Sequence, residues 1–172
     1  MFAAANPVDN WGGDLETAVN QTRQANVALA KPGLTPDQRQ ALVKKRDAGL
    51  QGIANVAAGH QNDVQAQIAV TRGYTAVGEA ALGRATGDRA VLLAQASGSP
   101  KTLSTALAVS AAAYGASGDY RTAASDAKKA LDLDGGNRDA AFLYSEYKDR
   151  VSVEAPKTPA GGGTGGARAG GG

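Results

Sequence analysis

Ser104 to Asn137 reads STALAVSAAAYGASGDYRTAASDAKKALDLDGGN, two alanine-rich runs on either side of Gly118-Asp119-Tyr120. Alanine is the strongest helix former, so each run is expected to be a short helix. Gly118 permits a tight reversal between them, because a residue without a Cβ takes positive φ at little cost. Small side chains on both runs let the two backbones approach closely, as ridge-into-groove packing requires. Gly135-Gly136 offers a residue able to adopt positive φ past the end of the second helix. The stretch is therefore read as a helix–turn–helix hairpin, and the rest of the chain is interpreted from it.

The same stretch resembles a tetratricopeptide (TPR) repeat, a helix–turn–helix unit of about 34 residues with small and aromatic residues at fixed places. Leu107 stands at the large apolar position near the start, followed by Ala111 and Tyr114 at the small and aromatic positions. Gly118-Asp119-Tyr120 matches the usual turn, Ala123 and Ala130 the small positions of the second helix, and Ala130-Leu131-Asp132-Leu133-Asp134 its typical ending. The match departs at Ser110, where leucine is usual, and at Gly135, where proline is usual. It covers about a fifth of the chain. The resemblance implies an all-α, right-handed α-solenoid of antiparallel helix pairs, about seven helices in all.

The 172 residues are enough for one domain with a core. Hydrophobic content of 42% is mostly alanine and aromatics reach only 5%. That composition again argues for helices. Net charge is +2 with acids and bases interleaved, so no basic stripe points to nucleic acid. Cysteine is absent, which excludes disulfides and thiolate chemistry. No apolar run approaches bilayer-spanning length. Neither compartment, exported or cytoplasmic, is singled out, although the Ala/Gly bias is of a bacterial kind.

In chain order, residues 1–13 are expected to be irregular, with Trp11 docking on the first helix, and residues 14–153 to form the helical domain. Residues 154–172 turn to Ala, Pro, Thr and Gly and are expected to be a disordered tail or linker. Asp14 to Ala30 forms the first helix on the spacing of Leu15, Ala18, Val19, Thr22, Ala25 and Leu29. Thr35-Pro36-Asp37-Gln38 is a capping box that opens a second helix running to about Ala58. Asn62 is expected to cap a third helix that runs through Gly73, Gly78 and Gly83 until Gly87-Asp88 turns the chain. A short fourth helix covers Arg89 to Ala96, and Ser99-Pro100 opens the fifth. Gly87-Asp88 echoes Gly118-Asp119 at less than a full repeat's spacing and suggests a shortened upstream repeat. Asn137 to about Val153 is a terminal capping helix, with Ala140, Tyr144, Tyr147 and Val151 inward.

Chemistry-bearing motifs are sparse. His60 is the single histidine, and without cysteine a zinc site has no natural set of ligands. No nucleophile turn or paired acid–base constellation serves catalysis, so neither a catalytic nor a cofactor-binding nor a metal-binding residue is assigned. Gly161-x-Gly163-x-x-Gly166 spells a dinucleotide fingerprint but has neither a preceding strand nor a following helix. Lys44-Lys45-Arg46 is read as a solvated helix face.

What remains is the concave groove that the resemblance implies, lined in this repeat by Thr105, Ala108, Val109, Ala112 and Ala116. Alanines at 108 and 112 stand where carboxylate-clamping members carry polar residues, so the groove suits an apolar segment. The expected function is a non-catalytic protein-interaction scaffold binding a protein or peptide partner. The alternative is a self-association module whose groove takes its own chain or a second copy, and a third reading is an enzyme or carrier using an interhelical pocket.

Overall fold

The computed structural model describes residues 10–154, with side chains to residue 151. Residues 1–9 and 155–172, which hold most of the segment expected to be irregular and of the expected disordered tail or linker, lie outside the described residues. Seven helices and no strand make up the described chain: α1 (Trp11–Leu29), α2 (Pro36–Gly59), α3 (Val64–Ala76), α4 (Ala80–Ala96), α5 (Pro100–Ala116), α6 (Tyr120–Leu133) and α7 (Arg138–Glu154). The packing of consecutive pairs is that of a helical solenoid. Neighbours in sequence pack on each other, and α1, α3, α5 and α7 also contact one another in succession, forming one layer.

Local chemistry sets most helix starts. Thr35 and Gln38 close a reciprocal box, the Gln38 amide donating to Thr35 Oγ1 at 3.2 Å and the Thr35 amide to Gln38 Oε1 at 3.0 Å. Ser99 accepts from the Thr102 amide and Asp119 from the Thr122 amide. The two bonds that Thr122 donates, from amide and hydroxyl, hold the Asp119 carboxyl below its ordinary pKa. α3 begins one residue later than expected: Asp63 caps it, accepting from the Gln65 and Ala66 amides, while Asn62 accepts from Arg89. Trp11 is not in an irregular segment but opens α1, its ring 5.8 Å from that of His60 at the end of α2.

The chief correction concerns the third helix. It stops at Ala76, and the chain reverses at Gly78, φ +87°, rather than at Gly87-Asp88. The turn repeats the main-chain bonds that the Gly118 turn, φ +86°, makes back into its preceding helix, although Glu79 lacks the side-chain cap that Asp119 supplies. Glu79 N–H reaches back to the Tyr74 carbonyl at 2.9 Å, and Asp119 N–H to that of Tyr114 at 3.0 Å. These i to i−5 bonds satisfy carbonyls that a helix end leaves open. The internal correspondence therefore pairs Tyr74-x-x-x-Gly78 with Tyr114-x-x-x-Gly118, and Gly87-Asp88 has no part in it. Gly135 and Gly136 also behave differently from expectation, since neither takes positive φ. An extended Asp134 ends α6, and its carboxylate accepts from the Gly136 amide at 3.0 Å.

Gly87 instead sits in the middle of α4, where three helices meet. A Cβ there would lie 3.2 Å from the Ser110 Cα and 3.3 Å from Thr71 Cγ2. Ser110, the departure from the expected leucine, is fully buried at this crossing. A leucine would have no room. Gly73 similarly faces Val19 of α1, and Gly49 of α2 faces Thr22 and the Ala18 carbonyl. The core around these crossings is mainly alanine, with Leu15, Ile53, Val56, Val70 and Tyr74 forming its largest apolar cluster at the α1–α2–α3 end.

The crossings make a direct prediction. Gly49→Ala would drive a methyl onto Thr22 Oγ1 and within 2.9 Å of the Ala18 carbonyl oxygen. Overpacking of that kind should cost about 2 kcal/mol. Gly59→Ala extends into open space on the last turn of the same helix. It should be neutral or stabilise by up to about 1 kcal/mol. Urea unfolding of the two variants checks the contrast.

Candidate functional site

The layer of odd-numbered helices carries a cleft of about 310 Å³ between α3 and α7, with α5 as its floor. Of the five residues expected to line a groove, Ala108, Val109 and Ala112 form that floor. Thr105 and Ala116 do not line it. Thr105 is half-buried and turns its hydroxyl to the Lys101 carbonyl, and Ala116 is exposed at the last position of α5.

The walls were not legible beforehand. Arg72, Thr75 and Ala76 come from α3, and Asp139, Phe142 and Leu143 from α7. The α3 residues were hidden by an expected helix that ran past Gly78 and so misplaced its faces. Phe142 falls two residues after Ala140, off the inward stripe of α7. The residue is 67% exposed, while Ala140 and Tyr147 of the same helix are buried. A large apolar residue outside a helix's core stripe was the available signal.

Towards α1 the face continues. A second cleft of about 290 Å³ is lined by Trp11, Leu15 and Val19 of α1 and by Ala69 and Gly73 of α3, and it shares Arg72 and Ala76 with the first. The layer thus presents a continuous, mainly apolar surface from Trp11 to Phe142. Arg72 stands at the junction, exposed, with Glu16 on one side and Asp139 on the other. Among the described residues, none of the three makes an ion pair.

The face is rigidly backed. Asn26 of α1 donates to the Val77 carbonyl in the α3–α4 turn at 3.1 Å. On the side of α5 away from the groove, the Tyr114 hydroxyl donates to Asp88 of α4 at 3.0 Å with Arg84 over its ring. Burial, then the bond to Asp88, raises the Tyr114 pKa above its ordinary 10.0. Burial raises those of Tyr74 and Tyr147 in the same direction.

Chemically, the surface is equipped for apolar contact. Among the described residues no three of His, Cys, Asp and Glu are grouped to hold a metal ion. No helix among them is long and apolar enough to cross a membrane. Comparison with protein-family models, with curated proteins and with solved structures gave no match.

The raised tyrosines carry a prediction about alkaline pH. The folded state favours the neutral hydroxyl, so this share of the stability is whole below pH 10.0 and is lost as pH rises through the higher folded value. Urea midpoints should therefore fall above about pH 10, and fall less steeply in Tyr114→Phe than in the wild type. Equal slopes would mean that Tyr114 titrates alike in both states.

Proposed function

We propose that the chain is a non-catalytic scaffold of TPR-like helix pairs that binds an apolar segment of a partner protein along its odd-numbered helices. One observation carries the reading: Phe142, two-thirds exposed, stands over a floor of Ala108, Val109 and Ala112. A large aromatic left in water beside an apolar cleft is characteristic of an interaction surface. The small floor residues lower the groove so that a partner's side chains fit between α3 and α7, the geometry of helix-in-groove recognition. The recurrence of the Tyr-x-x-x-Gly turn at Gly78 and Gly118 supports the repeat reading, because two like units stacked side by side extend one surface.

The test is a selection from a displayed library of apolar peptides, followed by binding measurements on full-length protein. Ala112 is half-buried on the cleft floor, so Ala112→Arg fills the groove and leaves the residues packed beneath α5 in place. Selected peptides should bind the wild type and lose at least about tenfold in affinity with this variant, the melting temperature moving by no more than about 4 °C. Peptides that bind both proteins equally would refute the groove as the site. A wild-type dimer that Ala112→Arg converts to monomer would establish self-association instead.

A further inference from the structure

A cleft of about 570 Å³ lies on the other side of α5, between α4 and α6. Its floor residues Leu103, Leu107 and Ser110 project roughly half a helical turn away from Ala108, Val109 and Ala112. The two surfaces are therefore independent.

Antiparallel packing gives this cleft a polarity. Gly83 meets Ala113 and Gly87 meets Ser110, so α4 descends as α5 rises. On the other side Ser110 donates to Asp126 at 3.4 Å and Ser104 to the Ala130 carbonyl at 2.8 Å, so α6 also runs against α5. Asp88, Ser110 and Asp126 consequently gather at one end, and Leu92, Leu103 and Leu133 at the other. Between the two ends lie about two helical turns, roughly 10 Å along the axis. Leu92 is 66% exposed and Leu133 40%. Lys129 pairs with Asp126 and Lys128 with Asp132. Asp88 receives only the neutral Tyr114 hydroxyl on both oxygens and has no ion-pair partner among the described residues.

We propose that this cleft is a second docking surface that takes a short helical segment of another protein, with leucine-sized side chains on one face and an arginine one to two turns further along. The leucines lie on Leu92, Leu103 and Leu133, and the guanidinium meets Asp88 beside Asp126. Arginine suits this end because its planar fork satisfies a carboxylate with two bonds. Neither of the two segments outside the described residues meets the requirement. Residues 155–172 contain Lys157 and Arg168 but no apolar side chain of leucine size, and residues 1–9 contain Phe2 and Val8 but no lysine or arginine.

The probe is a labelled, helix-stabilised peptide with two leucines one turn apart and an arginine one turn beyond, read by fluorescence anisotropy against the full-length chain. The control peptide has glutamate in place of arginine. The arginine peptide should bind at least about tenfold tighter than the control at low salt, the difference shrinking as salt is raised. Leu92→Glu should weaken it about tenfold, and Asp88→Asn, nearly isosteric and on an exposed residue, should remove most of its preference over the control. Ala112→Arg should leave binding unchanged, which separates this surface from the groove on the other side of α5. Equal binding of the two peptides, insensitivity to Leu92→Glu, or loss with Ala112→Arg would each overturn the proposal. So would a wild-type dimer that Leu92→Glu dissolves, since the occupant would then be a second copy.

Discussion

The close approach of helices at glycine and small polar residues is the constraint on which this fold depends. At Gly87 the backbone of α4 lies against Ser110 of α5 and Thr71 of α3, so close that even a Cβ would press on both neighbours. An alanine-rich core buries little apolar area per residue, so leucine-sized residues cannot supply most of its cohesion. Dispersion between closely packed backbones makes up part of the difference, because every helix pair gains contact along its length when its axes come nearer. Removing that closeness at one crossing would part the helices on either side of it.

Hydrogen bonds then fix the register in which the helices meet. Gln67, buried in α3, donates to the Ala57 and His60 carbonyls at the end of α2, at 2.9 and 3.1 Å. Ser104, buried in α5, donates to Ala130 near the end of α6 and accepts from Asn137, whose own Oδ1 caps α7. Both devices use a side chain near the start of an odd-numbered helix to satisfy carbonyls at the end of an even-numbered one. Buried polar side chains are costly when unpaired. Among the described residues every buried side-chain nitrogen and oxygen has a partner. Layered cover of a similar kind closes the carboxyl end, where Tyr147 covers Gly115 and stacks on Tyr120, which Arg150 covers in turn.

One architectural consequence is that α5 serves two surfaces. Nine of its 17 residues are buried and it packs against α3, α4, α6 and α7, yet a narrow strip on each side reaches a cleft. On one side the strip is alanine and valine beneath Phe142, and on the other it is leucine and serine beneath Leu92 and Leu133. A central helix of this kind couples the placement of the two clefts rigidly.

Much of the architecture was legible locally. Thr35-Pro36-Asp37-Gln38, Ser99-Pro100 and Gly118-Asp119 each announce a helix boundary through chemistry contained within a few residues, and all three boundaries stand where the sequence places them. The apolar spacing of α1 likewise identifies its buried face. What the sequence leaves open is the use of its glycines. Gly78, Gly87 and Gly135 are the same residue, but one reverses the chain, one admits a neighbouring helix and one follows an extended Asp134 without positive φ. Only the packing around each distinguishes these roles, since a missing Cβ serves a turn and a close crossing equally well. The clefts follow the same rule. Ala108, Val109 and Ala112 came from the resemblance of their own stretch to a helix–turn–helix repeat, whereas Arg72, Phe142 and the Asp88–Asp126 end required knowing which helices lie beside α5, a matter of tertiary geometry that no single helix encodes.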